Sequence, residues 1–595
     1  MTSLWGAVRS VLHLAYRSDP RKLLGGASLL LIGYLAAPAV SLALARLTDA
    51  AFDRAADTVF WLALAAAALL IAELMMGHFA HLLYFELGEQ EEAALQKQVI
   101  DASNGTPGME AFDSPEFSDT LTLVRDDLPR TRAVLEAVLQ LGGLAVQTVV
   151  TTVLLGLLNP WLMLLPVAAV PPILIGRRAQ AVEEKARERA AESTRRGRHL
   201  IKLATSANSV RELRMCGAEQ QMLRLQKTEW DAVTAMESGA GLRSATLRAM
   251  GQLLFALSYG GAIAIVVSQA LAGTSRIGDL VLLVTLAVQV STQVSTAIAL
   301  LGTVQAAGRT FERLEVLRTW AEKNLSRTTG TERPPGRISG EIRLENVGFT
   351  YAGSDRPVLE GIDLVIPAGT TLALVGENGA GKSTLVKLLC GMYEPTSGRV
   401  LIDGTDLGDL DPEAWALRVA PLFQDFARLE LLLRESVGIG AQEFIGDDDV
   451  LRRALLSADA EKVVDRVPGG LDGLLGQGYG EGAELSGGQW QKLGLARTLI
   501  KEEPLLLILD EPAAALDASA ESAVFTRFAE GAAANGDTTG AVTLFISHRF
   551  STVRSADLIV LMDDGRIKES GTHEELMADG GTYAELFDLQ ARVYR

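Results

Sequence analysis

Long apolar runs dominate roughly the first 300 residues, and short apolar runs separated by turns replace them afterwards. A helix needs about 20 apolar residues to cross a bilayer. Runs of that kind lie near 23–45, 59–83, 133–158, 161–176, 248–271 and 279–304, which predicts six membrane-spanning helices. The fourth is short and carries Pro166, Pro171 and Pro172, tolerable where neighbouring helices satisfy the freed carbonyls. Asn159-Pro160 makes a tight hairpin between the third and fourth. The connections at 46–58, 159–160 and 272–278 are short. Those at 84–132 and 177–247 are long and are expected to extend the membrane helices as helices. The 177–247 stretch carries Arg177, Arg178, Lys185, Arg187 and Arg189, and the N-terminal flank carries Arg17, Arg21 and Lys22. The positive-inside rule puts both long loops and both ends on the cytoplasmic side. In residues 1–20, Trp5, Val8, Leu12 and Ala15–Tyr16 recur at helical spacing. That suits a helix lying along the membrane surface or a short soluble helix. With Arg9 and Arg17 and no long apolar core, this segment is not a cleavable signal peptide.

Polar residues inside the spans are informative because lipid makes them costly. Glu73 costs on the order of 3 kcal/mol unless it faces a cavity or a partner. Gln289, Thr292, Gln293 and Thr296 share one helical face of the last span. They line a wet pathway or hydrogen-bond between helices. His78 and His81 lie one turn apart, but two ligands do not make a metal site. In the second long loop Glu183, Glu184 and Glu188 alternate with Lys185, Arg187 and Arg189, a solvated, ion-paired face.

The stretch 322–340 is polar and rich in Thr, Gly and Pro, and reads as a linker between a membrane domain (21–321) and a second domain (341–595). From Glu341 to Tyr351 apolar and polar residues alternate as in an antiparallel strand. An apolar run, Leu372–Val375, then leads into Gly376-Glu377-Asn378-Gly379-Ala380-Gly381-Lys382-Ser383-Thr384 and an amphipathic run, Leu385–Leu389. This is the strand–loop–helix setting of G-x-x-x-x-G-K-[ST]. Its backbone N–H groups cradle phosphates at a helix N-terminus. Lys382 reaches the β- and γ-phosphates, and Ser383 ligates Mg²⁺. Val419–Phe423 ends in Gln424. Leu485-Ser486-Gly487-Gly488-Gln489 precedes a helix, Trp490–Ile500. Leu505–Leu509 is apolar without interruption, as in a strand buried on both faces, and ends in Asp510-Glu511. Val542–Ile546 ends in Ser547-His548. Carboxylates and a histidine at strand C-termini fall where open α/β sheets bind ligands. Glu511 then orients or deprotonates an attacking water, and His548 hydrogen-bonds the γ-phosphate.

The net charge of −18 argues against a nucleic-acid partner. The two cysteines, Cys216 and Cys390, form no disulfide framework, and each is expected as a small buried residue.

These motifs, in this order, resemble the ATP-binding cassette family over essentially the whole chain. A membrane domain fused ahead of a cassette looks like the exporter branch. The resemblance implies an all-α six-helix transmembrane domain followed by an α/β P-loop ATPase, with ATP and Mg²⁺ as cofactors. It makes Tyr351 the aromatic that stacks on adenine; from the sequence alone Tyr351 is equally an ordinary strand residue. It makes Gly376–Thr384 the phosphate loop, Gln424 a Mg²⁺ and water contact, and Ser486–Gln489 the signature that meets ATP held by the opposite cassette. It makes Asp510 the Mg²⁺-site carboxylate, Glu511 the catalytic carboxylate and His548 the switch histidine. Ala514-Ala515-Leu516-Asp517 departs from the family's Ser-Ala-Leu-Asp. Gly476-Gln477-Gly478-Tyr479-Gly480 reads as a flexible linker before the signature.

Phe423-Gln424-Asp425-Phe426, Leu485–Lys492 and Phe112-Asp113-Ser114-Pro115-Glu116-Phe117 are similar to bacterial exporters of modified, lantibiotic-type peptides. The last of these and Arg211-Glu212-Leu213-Arg214 are candidate contacts with the cassette. Leader cleavage by this chain is not expected. The sequence thus points to a half-transporter of a bacterial-type inner membrane, with cytoplasmic termini, exporting a peptide or another amphipathic solute. A lipid or multidrug translocator and an ATP-gated membrane ATPase without transport are the alternatives. The motif set permits a homodimer with two competent sites; a heterodimer with a homologous chain stays open.

Overall fold

The computed structural model describes residues 4–105, 108–272, 276–325, 330–476, 480–511, 539–547 and 550–593. It forms two compact units. The first comprises 1–99 and 123–315, the second 100–122 and 316–595.

The first unit is helical. Helix α1 is Leu4–Ser18, α2 Pro20–Phe52 and α3 Ala56–Asn104. The chain continues through α4 (Glu110–Asp113), α5 (Pro115–Asp127) and α6 (Arg132–Leu158). After that come α7 (Val170–Thr205), α8 (Ala207–Met215), α9 (Glu219–Leu271) and α10 (Ile277–Leu325). The Asp19 carboxylate accepts from Arg21 N–H at 2.9 Å and Lys22 N–H at 3.2 Å, and Pro20 begins α2, a favourable cap and first residue. Among the described residues five helices are long and apolar enough to cross a membrane: α2, α3, α6, α9 and α10. The fourth predicted span is not a continuous helix. It begins as two 3₁₀ turns, Pro160–Leu164 and Val167–Ala169, and becomes regular only in α7. Pro160 opens the first 3₁₀ turn and Pro166 precedes the second, each without an N–H to give to an α ladder, whereas Pro171 and Pro172 fall in the first turn of α7, where no N–H is needed. Asn159 caps the first turn through Trp161 N–H at 3.0 Å.

Both long loops do extend the membrane helices: α3 runs on to Asn104, α7 to Thr205, and α9 starts at Glu219. Glu183 and Glu184 pair with arginines of other helices, Arg248 of α9 at 2.9 Å and Arg309 of α10 at 3.1 Å, rather than with Lys185, Arg187 and Arg189 of their own face. Helix α1 buries Val11 and Ala15 among Leu30, Ala80, Leu87 and Leu135 and leaves Trp5 and Tyr16 exposed. Cys216, expected to be buried, is exposed. It follows α8 at a helix end where Gly217 takes a φ of +60°, so no neighbouring turn covers it. Cys390 is buried.

The second unit is built on two sheets. The antiparallel sheet has the order β2-β1-β4-β5, with β1 Glu341–Phe349, β2 Leu359–Pro367, β4 Ser397–Ile402 and β5 Thr405–Asp406. The other has the order β10-β9-β3-β8-β7-β6. Its strands are β3 Thr371–Gly376, β6 Val419–Leu422, β7 Leu506–Asp510, β8 Val542–Ile546, β9 Leu558–Asp563 and β10 Arg566–Gly571. Strands β9, β3, β8, β7 and β6 are mutually parallel and β10 is antiparallel. Every residue of β7 and β8 is buried, as a strand covered on both faces requires. Helix α11 (Lys382–Leu389) follows β3, and α12–α15 (Pro412–Arg418, Leu433–Gly438, Asp448–Ser457, Glu461–Val464) precede α16 (Gly487–Leu499). The polar stretch before β1 is tied down at its end: Ile338 is buried and its N–H donates to Thr539 O at 2.9 Å.

Candidate functional site

Parallel strands β3, β8, β7 and β6 stand side by side, so their C-terminal ends collect what the sequence scatters over more than a hundred residues. Strand β3 delivers the loop 376–381. Gly376 has a φ of +150°, and a Cβ there would fall 2.2 Å from Met562 O; Gly381 has a φ of +97°, and a Cβ would meet Leu359 Cδ2 at 2.6 Å. Only glycine fits either position, which leaves an open cradle of backbone. Lys382 folds over it, donating to Gly376 O and Glu377 O at 2.8 Å each. Ser383 Oγ donates to Asp510 Oδ2 at 3.3 Å. Gln424, just after β6, donates from Nε2 to Glu511 Oε2 at 3.1 Å. The structure therefore brings Lys382, Ser383, Gln424, Asp510 and Glu511 to one edge of one sheet.

Sequence reasoning missed two features here. Gln491, one turn into α16, donates to Glu511 O at 3.1 Å. Glu511 itself has a φ of +49°, a left-handed conformation that is rare for a non-glycine residue and typical of functional sites. Neither has a local sequence signal, since both depend on β7 ending against α16.

The charges are imperfectly matched. Burial holds Lys382 below the ordinary lysine value, against the pull of Asp510 and Glu511. Burial also lifts Asp510, and Glu511 lifts it further, against the Ser383 hydrogen bond and Lys382. A polyphosphate would supply the anion that Lys382 lacks, and a divalent cation the positive charge that Asp510 and Glu511 lack. The residues thus fit magnesium nucleotide: Ser383 and Asp510 would hold the metal, with Gln424 beside it. That metal, when bound, offsets phosphate charge.

Tyr351 packs edge-on against Phe349 and Tyr393 and places its hydroxyl 3.1 Å from Thr384 Oγ1. The loop residues Asn378, Gly379 and Ala380 lie between the two glycine turns. Ser486 caps α16 reciprocally with Gln489: Gln489 N–H to Ser486 Oγ at 3.3 Å, Ser486 N–H to Gln489 Oε1 at 2.8 Å. Ser486 and Gly487 are exposed, and Gly488 is half-buried. His548, Ala514–Asp517 and Gln477–Tyr479 lie outside the described residues.

A family model of the ABC transporter matches residues 359–514. A second, the ABC transporter transmembrane region, matches residues 23–294. The chain belongs to the ABC transporters, with fused transmembrane and ATP-binding regions. An ATP-dependent lipid A-core flippase from Cupriavidus pinatubonensis is 42% identical over 255 residues, 43% of this chain and 42% of that protein. The chain spans less than two thirds of that relative. A flippase of the same name from Xylella fastidiosa (strain 9a5c) is 29% identical over 552 residues, 91% of this chain and 89% of that protein. The fold matches a solved bacterial Atm1-family ABC exporter with ATP bound, at a TM-score of 0.74 and 21% identity, covering 96% of this chain and 99% of that one.

In this ABC transporter the first long loop enters the cassette's own compact unit. Tyr393 Oη donates to Asp113 Oδ2 at 2.7 Å, and Met109 N–H to Met392 O at 3.0 Å. Phe117 stacks beside Phe112 and Trp320. In the membrane region, the two readings of the last span's polar face divide between residues. Gln289 hydrogen-bonds Ala37 O at 2.9 Å and Ser41 Oγ at 3.0 Å. Gln293 accepts from Thr148 Oγ1 at 3.2 Å. Thr292, Gln293 and Thr296 line a cavity of about 330 Å³ together with Glu73. His78 Nδ1 meets Leu74 O at 2.8 Å, and no metal-holding cluster of three or more His, Cys, Asp or Glu occurs among the described residues.

Proposed function

We propose that the chain is one half of an ATP-driven exporter of a bacterial-type inner membrane, moving an amphipathic, lipid-like solute by alternating access. The observation that carries this is the convergence of Lys382, Ser383, Asp510, Gln424 and Glu511 on one sheet edge, in a chain whose other region is membrane-spanning helices. Lys382 leaves its loop carbonyls for the β- and γ-phosphates. Glu511, held by Gln424, orients the attacking water and takes its proton; phosphoryl transfer needs little more than such positioning and charge stabilisation. Tyr351 stacks on adenine, and His548 contacts the γ-phosphate. The Ser486–Gln489 turn, exposed at Ser486 and Gly487, meets nucleotide held by a second half, so two chains enclose two ATP; a homodimer is the simplest pairing. Long loops and termini lie on the cytoplasmic side.

Relatives named as lipid A-core flippases favour a lipid over the modified peptide that local cassette wording suggested. The test is reconstitution in proteoliposomes with a fluorescent lipid in one leaflet. ATP should drive leaflet exchange in wild type. Glu511→Gln should bind ATP normally and lose steady-state hydrolysis by at least about a hundredfold, within the range for a general base. Near-wild-type turnover would remove Glu511 from the mechanism, and hydrolysis without movement of any lipid or amphiphile would remove the export reading.

A further inference from the structure

We propose that the cavity lined by α2, α3, α6 and α10 receives the cationic head of the cargo, an ammonium or guanidinium on an apolar body, with Glu73 as its counter-ion. The proposal rests on the exporter reading and names the charge class of what is moved.

Tyr34, Glu73, Gln147 and Thr292 line the cavity, one from each helix. Each falls within about two residues of the middle of its apolar run. The walls are therefore polar at the depth where a bilayer solvates polar groups least. Glu73 makes no ion pair or hydrogen bond with any described residue. Gln147 is only 7% exposed, and its amide has no hydrogen-bond partner among the described residues. A side chain so largely covered, with its unpaired amide opening into the cavity, is a second, independent sign of a ligand.

Glu73 is the one formally charged residue among those described in the cavity wall, and it also borders a second cavity, about 740 Å³, that His78 and His81 line. No Lys, Arg or His lines the first cavity among the described residues. Tyr84 and Gln140, both in its wall, donate to the same oxygen of Glu136 at 3.2 and 2.9 Å. A second carboxylate thus stands behind the first layer, and His81 Nδ1 sits 2.9 Å from the Tyr84 hydroxyl. An anionic head would meet two carboxylates, and a neutral one would leave Glu73 unpaired. An ammonium pairs with Glu73 and donates to the Gln147 carbonyl oxygen, satisfying both. The neighbouring cavity on the opposite side of α10, about 250 Å³, is different: its Arg248 is already matched by Glu183 at 2.9 Å.

The test uses the full chain in nanodiscs without nucleotide. Three fluorescent amphiphiles share one apolar body and end in a primary ammonium, a hydroxyl or a phosphate, and binding is read by anisotropy. Wild type should bind the ammonium about tenfold tighter than the hydroxyl, roughly 1.4 kcal/mol, and the phosphate weakest. Glu73→Gln should abolish that preference, Glu73→Asp should keep it, and Gln147→Leu should weaken all heads while keeping their order. Equal affinities in wild type, or a preference that survives in Glu73→Gln, would overturn the proposal. Because no ATP is present, a failure to hydrolyse ATP counts against the exporter reading alone, and a flat ranking in a hydrolysing protein against the charge class alone.

Discussion

Glu91 shows what one buried carboxyl can do. It lies beyond the second apolar run, is 3% exposed, and its Oε1 has no hydrogen-bond partner among the described residues. Burial pushes its carboxyl from 4.5 up to about 8. The folded chain therefore keeps a proton that the unfolded chain loses. The stabilising contribution is full below pH 4.5 and is lost as pH rises through 8, on the order of 5 kcal/mol in all. Glu91→Gln should flatten that loss, so its melting midpoint in detergent should fall less than wild type's between pH 5.5 and 9. Parallel midpoints would show that Glu91 is solvated. The neighbouring Glu92, by contrast, pairs with Arg132; the sequence alone does not distinguish these two adjacent glutamates, because only packing decides which one faces α6.

At the scale of elements, the turn from β3 into α11 was readable because glycine spacing and flanking runs state its geometry locally. The reason each glycine is needed was not. Gly376 is closed in by Met562 O of β9, whereas a Cβ on Gly379, at a φ of +88°, would have nothing within 4 Å. Gly376→Ala should therefore weaken ATP binding far more than Gly379→Ala, at least tenfold by nucleotide filter binding, since it adds a backbone clash to an unfavourable φ. Equal effects would mean that φ alone matters. The fourth apolar run is the counterexample. Its hydropathy promised a helix, but Pro160 and Pro166 stand at the 3₁₀ turns ahead of α7, a local veto that a hydropathy count does not register.

For the whole molecule, the chain leaves its first compact unit along α3, spends residues 100–122 in the second, and returns along α5. The Tyr393–Asp113 hydrogen bond anchors that excursion on the cassette. Losing it should disconnect the two activities rather than abolish either. Asp113→Ala should retain basal ATP hydrolysis within about twofold and lose its stimulation by transported amphiphile, as expected when an energetic link is cut outside both sites. Intact stimulation would show that the contact transmits nothing.

What the amino-acid order determined alone is everything carried by short-range pattern. Apolar runs long enough for a bilayer, the alternation of β1, the uninterrupted β7, and the glycine-rich loop ahead of Lys382 each state their chemistry within a few residues. The tertiary structure decided what depends on distant segments meeting. Gln424 reaches Glu511 only because β6 lies beside β7, and Glu73 and Gln147 line one cavity only because α3 and α6 both border it. The hydrophobic effect that drives such packing is non-directional, so periodicity says which faces are buried and not which partners they meet.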